Sequence, residues 1–310
     1  MRVFLAGATG VIGRRLMPML LAEGHQVTGM TRTRAKLEQL RAAGAEAVLA
    51  DALDAEAVHA SVAEARPDAV IHQLTALPAR IDPRKLERDF ALNDRLRSEG
   101  TRILVEAATA AGAGRIVAQS IAFAYAPGPV GSVHAEADPL FVDAPEPFRR
   151  SARALAELES TVIGARGLAL RFGYFYGPGS AISTLGSMGQ DVARRRMPVV
   201  GRGQGVWSFV HVDDAARATV AALTRGAPGA YNVVDDEPAP VRDWLPALAA
   251  ALQAPPPRRV PVLLARLAAG SYGVATMTRA QGASNELAAR ELGWRPEHAS
   301  WREGFRSALG

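Results

Sequence analysis

Three glycines spaced three apart, Gly7, Gly10 and Gly13, lie in the run GATGVIG, directly after the apolar stretch RVFLA and directly before an amphipathic one. Glycine lets a backbone turn tightly and approach a ligand closely. A helix that starts on such a turn presents unpaired N–H groups and the positive end of its dipole, the chemistry of a pyrophosphate cradle. The spacing alone is common, but its place between a predicted strand and a predicted helix makes dinucleotide binding the expectation, with Thr9, Val11 and Ile12 in the same turn. Further on, TGMTRTRAK puts Thr31 where an NAD site would carry an acid for the ribose 2′-hydroxyl, with Arg32 and Arg34 beside it. Arginine there suits a 2′-phosphate, so NADP(H) is expected ahead of NAD(H). The run AVLADALD then offers Asp51, with Ala52, to the adenine, and Asp54 as a helix cap.

These residues need a sheet to hold them, and the chain supplies its pattern. Short strand-like runs, RVFLAG, HQVTGMT, EAVLAD, DAVIHQL, RIVAQS and GLALRF, alternate with helical patterns over 11–23, 34–43, 54–65, 85–112 and 148–164. That rhythm predicts an α/β fold, a Rossmann doubly wound parallel sheet. After residue 172 it breaks into GYFYGPGS. Residues 1–172 are therefore read as the dinucleotide-binding domain and 173–310 mostly as a smaller, interleaved substrate-binding region. VWSFVHV, the helix DAARATVAAL and AYNVV are read as a return to the sheet over 206–235. Another helix is expected near Ser284.

Composition narrows the function. With 310 residues, 48% of them apolar, the chain can fill a sizeable core. No apolar run is long enough to span a bilayer, so no membrane partner is expected. The absence of cysteine excludes thiolate nucleophiles and disulfides and fits the cytoplasm. Six histidines without ligand spacing leave no expected metal site. The net charge of +5 comes with no nucleic-acid-binding motif, and no nucleic-acid partner is expected.

Taken with the glycine turn, the runs VIHQLTA, LRFGYFYGPG, FVHVDDAA, AYNVVDDEP and ASNELAARELGW resemble the extended short-chain dehydrogenase/reductases, the superfamily of NAD-dependent epimerases and dehydratases. The likeness covers nearly the whole chain. It implies cofactor contacts at Leu74, Thr75, Ala76, Asn93, Gly173 and Tyr174, and a possible homodimer through helices 85–112 and 148–164. It also implies a tyrosine four residues before a lysine, whose ammonium lowers the phenol pKa from about 10. In EPFRRSARALAE those places hold Phe148 and Ala152. No tyrosine has a lysine four residues on, and Lys36 and Lys85 are the only lysines. The face bearing Phe148 and Ala152 is thus either core or an apolar wall of the substrate site.

The remaining catalytic candidates are Ser120, at the strand end where the family places a hydroxyl, and Tyr125 as a proton donor. Tyr174, Tyr176, His134 and Asp143 stand behind them. Trp207 occupies the place of an arginine that grips the diphosphate of nucleotide sugars in the family, which favours a smaller, apolar or aromatic substrate. Tyr176 and Trp207 join Phe148 and Ala152 as expected substrate-lining residues. Acid–base help is worth about a hundred- to ten-thousand-fold, so its loss does not forbid hydride transfer. The expectation is an NADPH-dependent reductase of a small apolar or aromatic carbonyl or enone. A non-redox isomerase, lyase or cyclase, and a non-catalytic NADP(H)-sensing regulator, remain as alternatives.

Overall fold

Strand β1 (Arg2–Ala6) runs into helix α1 (Gly13–Ala22), followed by β2 (Gln26–Thr31), α2 (Arg34–Ala42), β3 (Glu46–Leu49), α3 (Ala55–Ala65) and β4 (Ala69–His72). Next come α4 (Leu86–Arg95), a π-helical turn over Leu96–Gly100, α5 (Thr101–Ala110), β5 (Arg115–Ile121), α6 (Arg149–Gly164) and β6 (Leu168–Phe172). The computed structural model describes residues 1–78, 80, 85–129 and 132–309. Six strands join β11 (Gly229–Val233, labelled in chain order) in one parallel sheet of order β11-β6-β5-β4-β1-β2-β3. The reversal of order between β1 and β4 opens the crevice where such sheets bind ligands.

Both faces of the sheet are covered, which is why its central strands read as unbroken apolar runs. Leu5, Ile71, Val117 and Leu170 pack under α1 and the later helix α8 (Val212–Ala221). Phe4, Val70, Ile116 and Ala118 pack against α3 and α5.

Beyond β6 the chain builds a second layer. Its elements are β7 (Tyr174–Tyr176), α7 (Ser187–Ala193), β8 (Val199–Val200), β9 (Val206–Trp207), β10 (Phe209–His211), β12 (Ala239–Pro240), α9 (Val241–Ala251), β13 (Arg259–Val260), α10 (Val262–Thr278) and α11 (Trp301–Leu309). The expected return to the sheet over 206–235 holds only for β11, which pairs with β6. VWSFVHV instead splits: β9 pairs antiparallel with β12, and β10 pairs parallel with β7. Its aromatic side chains belong to a separate core of Trp207, Phe209, Trp244, Trp301 and Phe305. Near Ser284 the chain forms a π-helical turn over Ala288–Leu292.

Candidate active site

At the mouth of the crevice, Gly7 has a φ of +89°, and a Cβ there would lie 2.5 Å from the Gln73 carbonyl oxygen. A Cβ on Gly13 would lie 2.2 Å from the Gly7 oxygen. The first approach seats the β1 turn against the chain leaving β4 and the second seats it against the start of α1, so the spacing read from the sequence is a steric requirement. Thr9, Gly10 and Val11 are accessible on this turn, while Ile12 points into the core. Thr31 is buried and its Oγ1 accepts a hydrogen bond from the Thr33 amide. Arg32 and Arg34 stand exposed, with no acceptor among the described residues. The exposed Asp51 caps its own turn through the Leu53 amide, beside a buried Ala52, and Asp54 caps α3 through Ala57 as expected. Asn93 is fully buried and accepts from the Ala76 amide at 3.2 Å, so it positions the segment Leu74–Thr75–Ala76. These residues fit a dinucleotide: a cradle that side chains would fill, and unpaired cations at the ribose end.

Ser120, at the end of β5, and Tyr125, just beyond it, are both committed to a buried network. Ser120 is fully buried and donates to Glu159 Oε1 at 2.5 Å. The same carboxylate receives Arg171 through both oxygens, at 2.9 and 2.6 Å. Arg171 also donates to the Tyr125 hydroxyl at 2.7 Å, and that hydroxyl donates to Asn232 Oδ1 at 2.6 Å. Burial pushes the Tyr125 phenol up to about 12, against the pull of Arg171. His134 stacks on the Tyr125 ring at 4.5 Å and hydrogen-bonds Asp138, and the exposed Asp143 meets Arg153. This closed network ties β5, β6, α6 and β11 together and leaves neither candidate hydroxyl for a substrate. The physical reason is alternation: Ser120 and Arg171 are register partners on neighbouring strands, so both turn to the face that carries Glu159.

Beyond this network stands a group of stacked rings. Phe123 stacks on Tyr174 at 4.1 Å, Tyr174 on Trp207 at 3.9 Å, and Trp207 lies 4.6 Å from Trp244. Trp207 is 4% exposed and donates its indole N–H to the Thr276 carbonyl, so Tyr174, not Trp207, forms the accessible surface. Next to Phe123, Phe148 stacks on Tyr272 of α10 at 4.5 Å, above a cluster of Ile121, Ala152 and Leu155. Phe123, Tyr174 and Tyr272 keep partial exposure. Burial, and then the neighbouring phenol of Tyr272, push the Tyr174 phenol up. Ala152 is packed beneath Phe148, and Tyr176 is wholly buried under α11, so neither reaches the surface beside these rings. Gly173 links β6 to this wall and donates its amide to the Val233 carbonyl.

Arg97, on the π-helical turn, was not singled out from the sequence. It is 5% exposed and makes no hydrogen bond to any described residue. Burial lowers its pKa to about 10 while Asp94 and Tyr272 oppose that shift. The signal was present: a cation in the register of buried Asn93 and Thr101. Phe123, Tyr272, Glu159, Arg171 and Asn232 left no comparable trace, because only the folded chain assembles them. His211, Asp214 and His298 bring ligand-type atoms within 4.8 Å of one another. Asp214 already accepts from the Glu297 and His298 amides, from the ring of His298 and from Arg217, so the group clasps the C-terminal segment to α8.

Residues 3–234 match the NAD dependent epimerase/dehydratase family. The chain belongs to that family. It is 49% identical over 310 residues to a 3-diazoavenalumate denitrifying reductase from Streptomyces sp, covering 98% of this chain and 99% of the relative. Among solved structures, the UDP-glucose 4-epimerase of Thermus thermophilus in complex with NAD superposes with a TM-score of 0.74 at 25% identity, covering 99% and 97% of the two chains. The Thermotoga maritima UDP-glucose 4-epimerase with UDP-glucose shares the fold, with a TM-score of 0.77 at 21% identity over 99% and 97%.

As a member of the epimerase/dehydratase family with a reductase-named relative of this similarity, the protein is an oxidoreductase enzyme. The two helix positions expected to carry acid–base groups hold Phe148 and Ala152, and both are buried. Among the described residues no helix is long and apolar enough to cross a membrane.

Proposed function

We propose that the protein is an NADPH-dependent reductase of a small aromatic substrate, and that the substrate carries a diazo group lost as N2. One observation carries this reading: the two leading donor candidates, Ser120 and Tyr125, are locked in a buried network with Glu159 and Arg171, whereas the rings of Phe123, Tyr174, Phe148 and Tyr272 gather at the end of β5. Bound dihydronicotinamide supplies a hydride. An arenediazonium cation that accepts the hydride at its ring carbon becomes the arene; the carbon–nitrogen bond breaks, its electron pair leaves with N2, and no proton is consumed. A ketone or enone gains negative charge at oxygen as hydride arrives and needs a donor, which favours the diazo reading over the carbonyl one. The 49% identity to a denitrifying reductase of a diazo compound supports the same choice.

The chain's own residues bind and shield. The glycine turn takes the pyrophosphate, Arg32 and Arg34 meet the 2′-phosphate, and Asn93 holds the Leu74–Ala76 segment in place. Stacked rings exclude water and offer flat surface to an aromatic cation.

The test uses benzenediazonium and NADPH deuterated at the transferable position. Monodeuterated benzene and N2 should appear in the headspace well above a protein-free control. Diazonium loss at the control rate, together with turnover of aromatic ketones, would overturn the diazo reading.

A further inference from the structure

Two arginines are buried among the described residues, and they differ in one respect. Arg171 satisfies its guanidinium with Glu159, the Tyr125 hydroxyl and the Glu136 carbonyl. Arg97 has no acceptor among the described residues. A guanidinium removed from water without hydrogen-bond partners is costly, and such groups are held in place by a charge partner or by function. Asp94 provides distant compensation only: its Oδ2 accepts from Ser151 and pairs with Arg150 at 3.9 Å, and its Oδ1 has no partner. Arg97 therefore keeps its planar fork of donors uncommitted.

Its surroundings fix where that fork lies. Arg97 lies one helical turn after Asn93, which holds the Leu74–Ala76 segment, and its π turn packs against α6, whose first turn follows Phe148; its charge also reaches His72 and the phenol of Tyr272, which stacks on Phe148. The His72 ring is itself occupied, accepting at Nδ1 from the Leu74 amide and donating from Nε2 to Thr101, so it gives Arg97 nothing to bind. A π turn inside a helix is often a functional feature, and this one carries Arg97. We propose that Arg97 is an anion subsite beside the stacked rings, taking a carboxylate or phenolate oxygen of the substrate while the rings hold its arene. The proposal rests on the cleft being the substrate site. Its test is separate from the reaction.

Protein loaded with NADP+ is titrated calorimetrically with two matched pairs, cinnamate against cinnamamide and 4-nitrophenolate against 4-nitroanisole. One acid should bind about tenfold or more tightly than its neutral partner, the size expected of a charge-assisted hydrogen bond in a sheltered site. Which pair shows the preference tells carboxylate from phenolate. R97Q should bring that ratio close to one with NADP+ affinity unchanged, and R97K should keep part of it. Equal binding within both wild-type pairs, a preference that survives in R97Q, or a loss matched by weaker NADP+ binding would each overturn the proposal. Should R97Q fail to fold, the wild-type ratios and R97K decide. A protein that discriminates the acids but releases no N2 refutes the diazo reading alone; one that releases N2 without discrimination refutes the subsite alone.

Discussion

Arg32 shows how much a single exposed side chain can be asked to do. It has no partner among the described residues, so its removal leaves the fold intact and acts on ligand alone. Arg32→Ala should weaken NADPH about tenfold or more while leaving NADH within about twofold, as measured by direct titration of both. Equal affinities for the two dinucleotides in the unmutated protein would remove the NADP(H) assignment. Tyr125 makes the opposite case. Its hydroxyl both donates to Asn232 and accepts from Arg171, so Tyr125→Phe strands two buried groups. A loss of about 1–3 kcal/mol in urea unfolding is expected, with turnover unchanged to within about twofold. Turnover falling by about tenfold at unchanged stability would restore Tyr125 as a proton donor. At this scale the glycine turn and the missing tyrosine–lysine pair were legible, because each is a property of residues close in sequence. The commitment of Ser120 was not, since Glu159 lies on the helix before the next strand.

Helix α10 illustrates what periodicity fails to report about an element. It is broken at Gly270, whose φ of +70° and ψ of −178° belong to a region open essentially to glycine, although a Cβ there would meet nothing within 4 Å. Space alone would permit alanine; the backbone does not. The half after the break delivers Tyr272 to the cleft and the Thr276 carbonyl to Trp207. Before it, the half exposes Leu263 at 79% and Leu267 at 80%. Gly270→Ala should cost about 1–3 kcal/mol at the kink and, by shifting Tyr272, raise KM for the aromatic substrate more than it lowers kcat. An unchanged KM would show that Tyr272 does not contact the substrate. The strands of the sheet and the helices around it were readable from alternation and capping. The placement of β9 and β10 was not, because a period of two says which residues share a face and nothing about which edge a strand joins.

For the whole molecule, the buried His72 couples folding to pH. Burial, and then the Arg97 charge, lower its pKa from 6.5 to about 4. The folded ring is therefore neutral where the unfolded one takes up a proton, and stability is lost as pH falls below about 6.5 and levels off near the folded value. Between pH 7 and pH 5 this coupling is worth about 2 kcal/mol, a drop of several degrees in Tm. His72→Gln, which can keep one hydrogen bond to Thr101, should show a flatter profile over that range. A variant whose stability falls as steeply as that of the unmutated protein would assign the pH dependence to other groups.

The sequence by itself determined the architecture and the glycine turn. A parallel sheet covered on both faces, a helix beginning on a glycine turn and an arginine pair after β2 all follow from local pattern, whose physical basis lies within a few residues. It also established that the usual acid–base pair is absent, by simple count of lysines. Only the tertiary structure decided what fills the gap. Phe123, Phe148, Tyr174 and Tyr272 come from a strand-end loop, the start of one helix, a short strand and the middle of another helix. Arg97 was one charge among many until burial left it without a partner. Contacts between residues far apart in the chain are set by packing and desolvation, and those forces act on the folded whole.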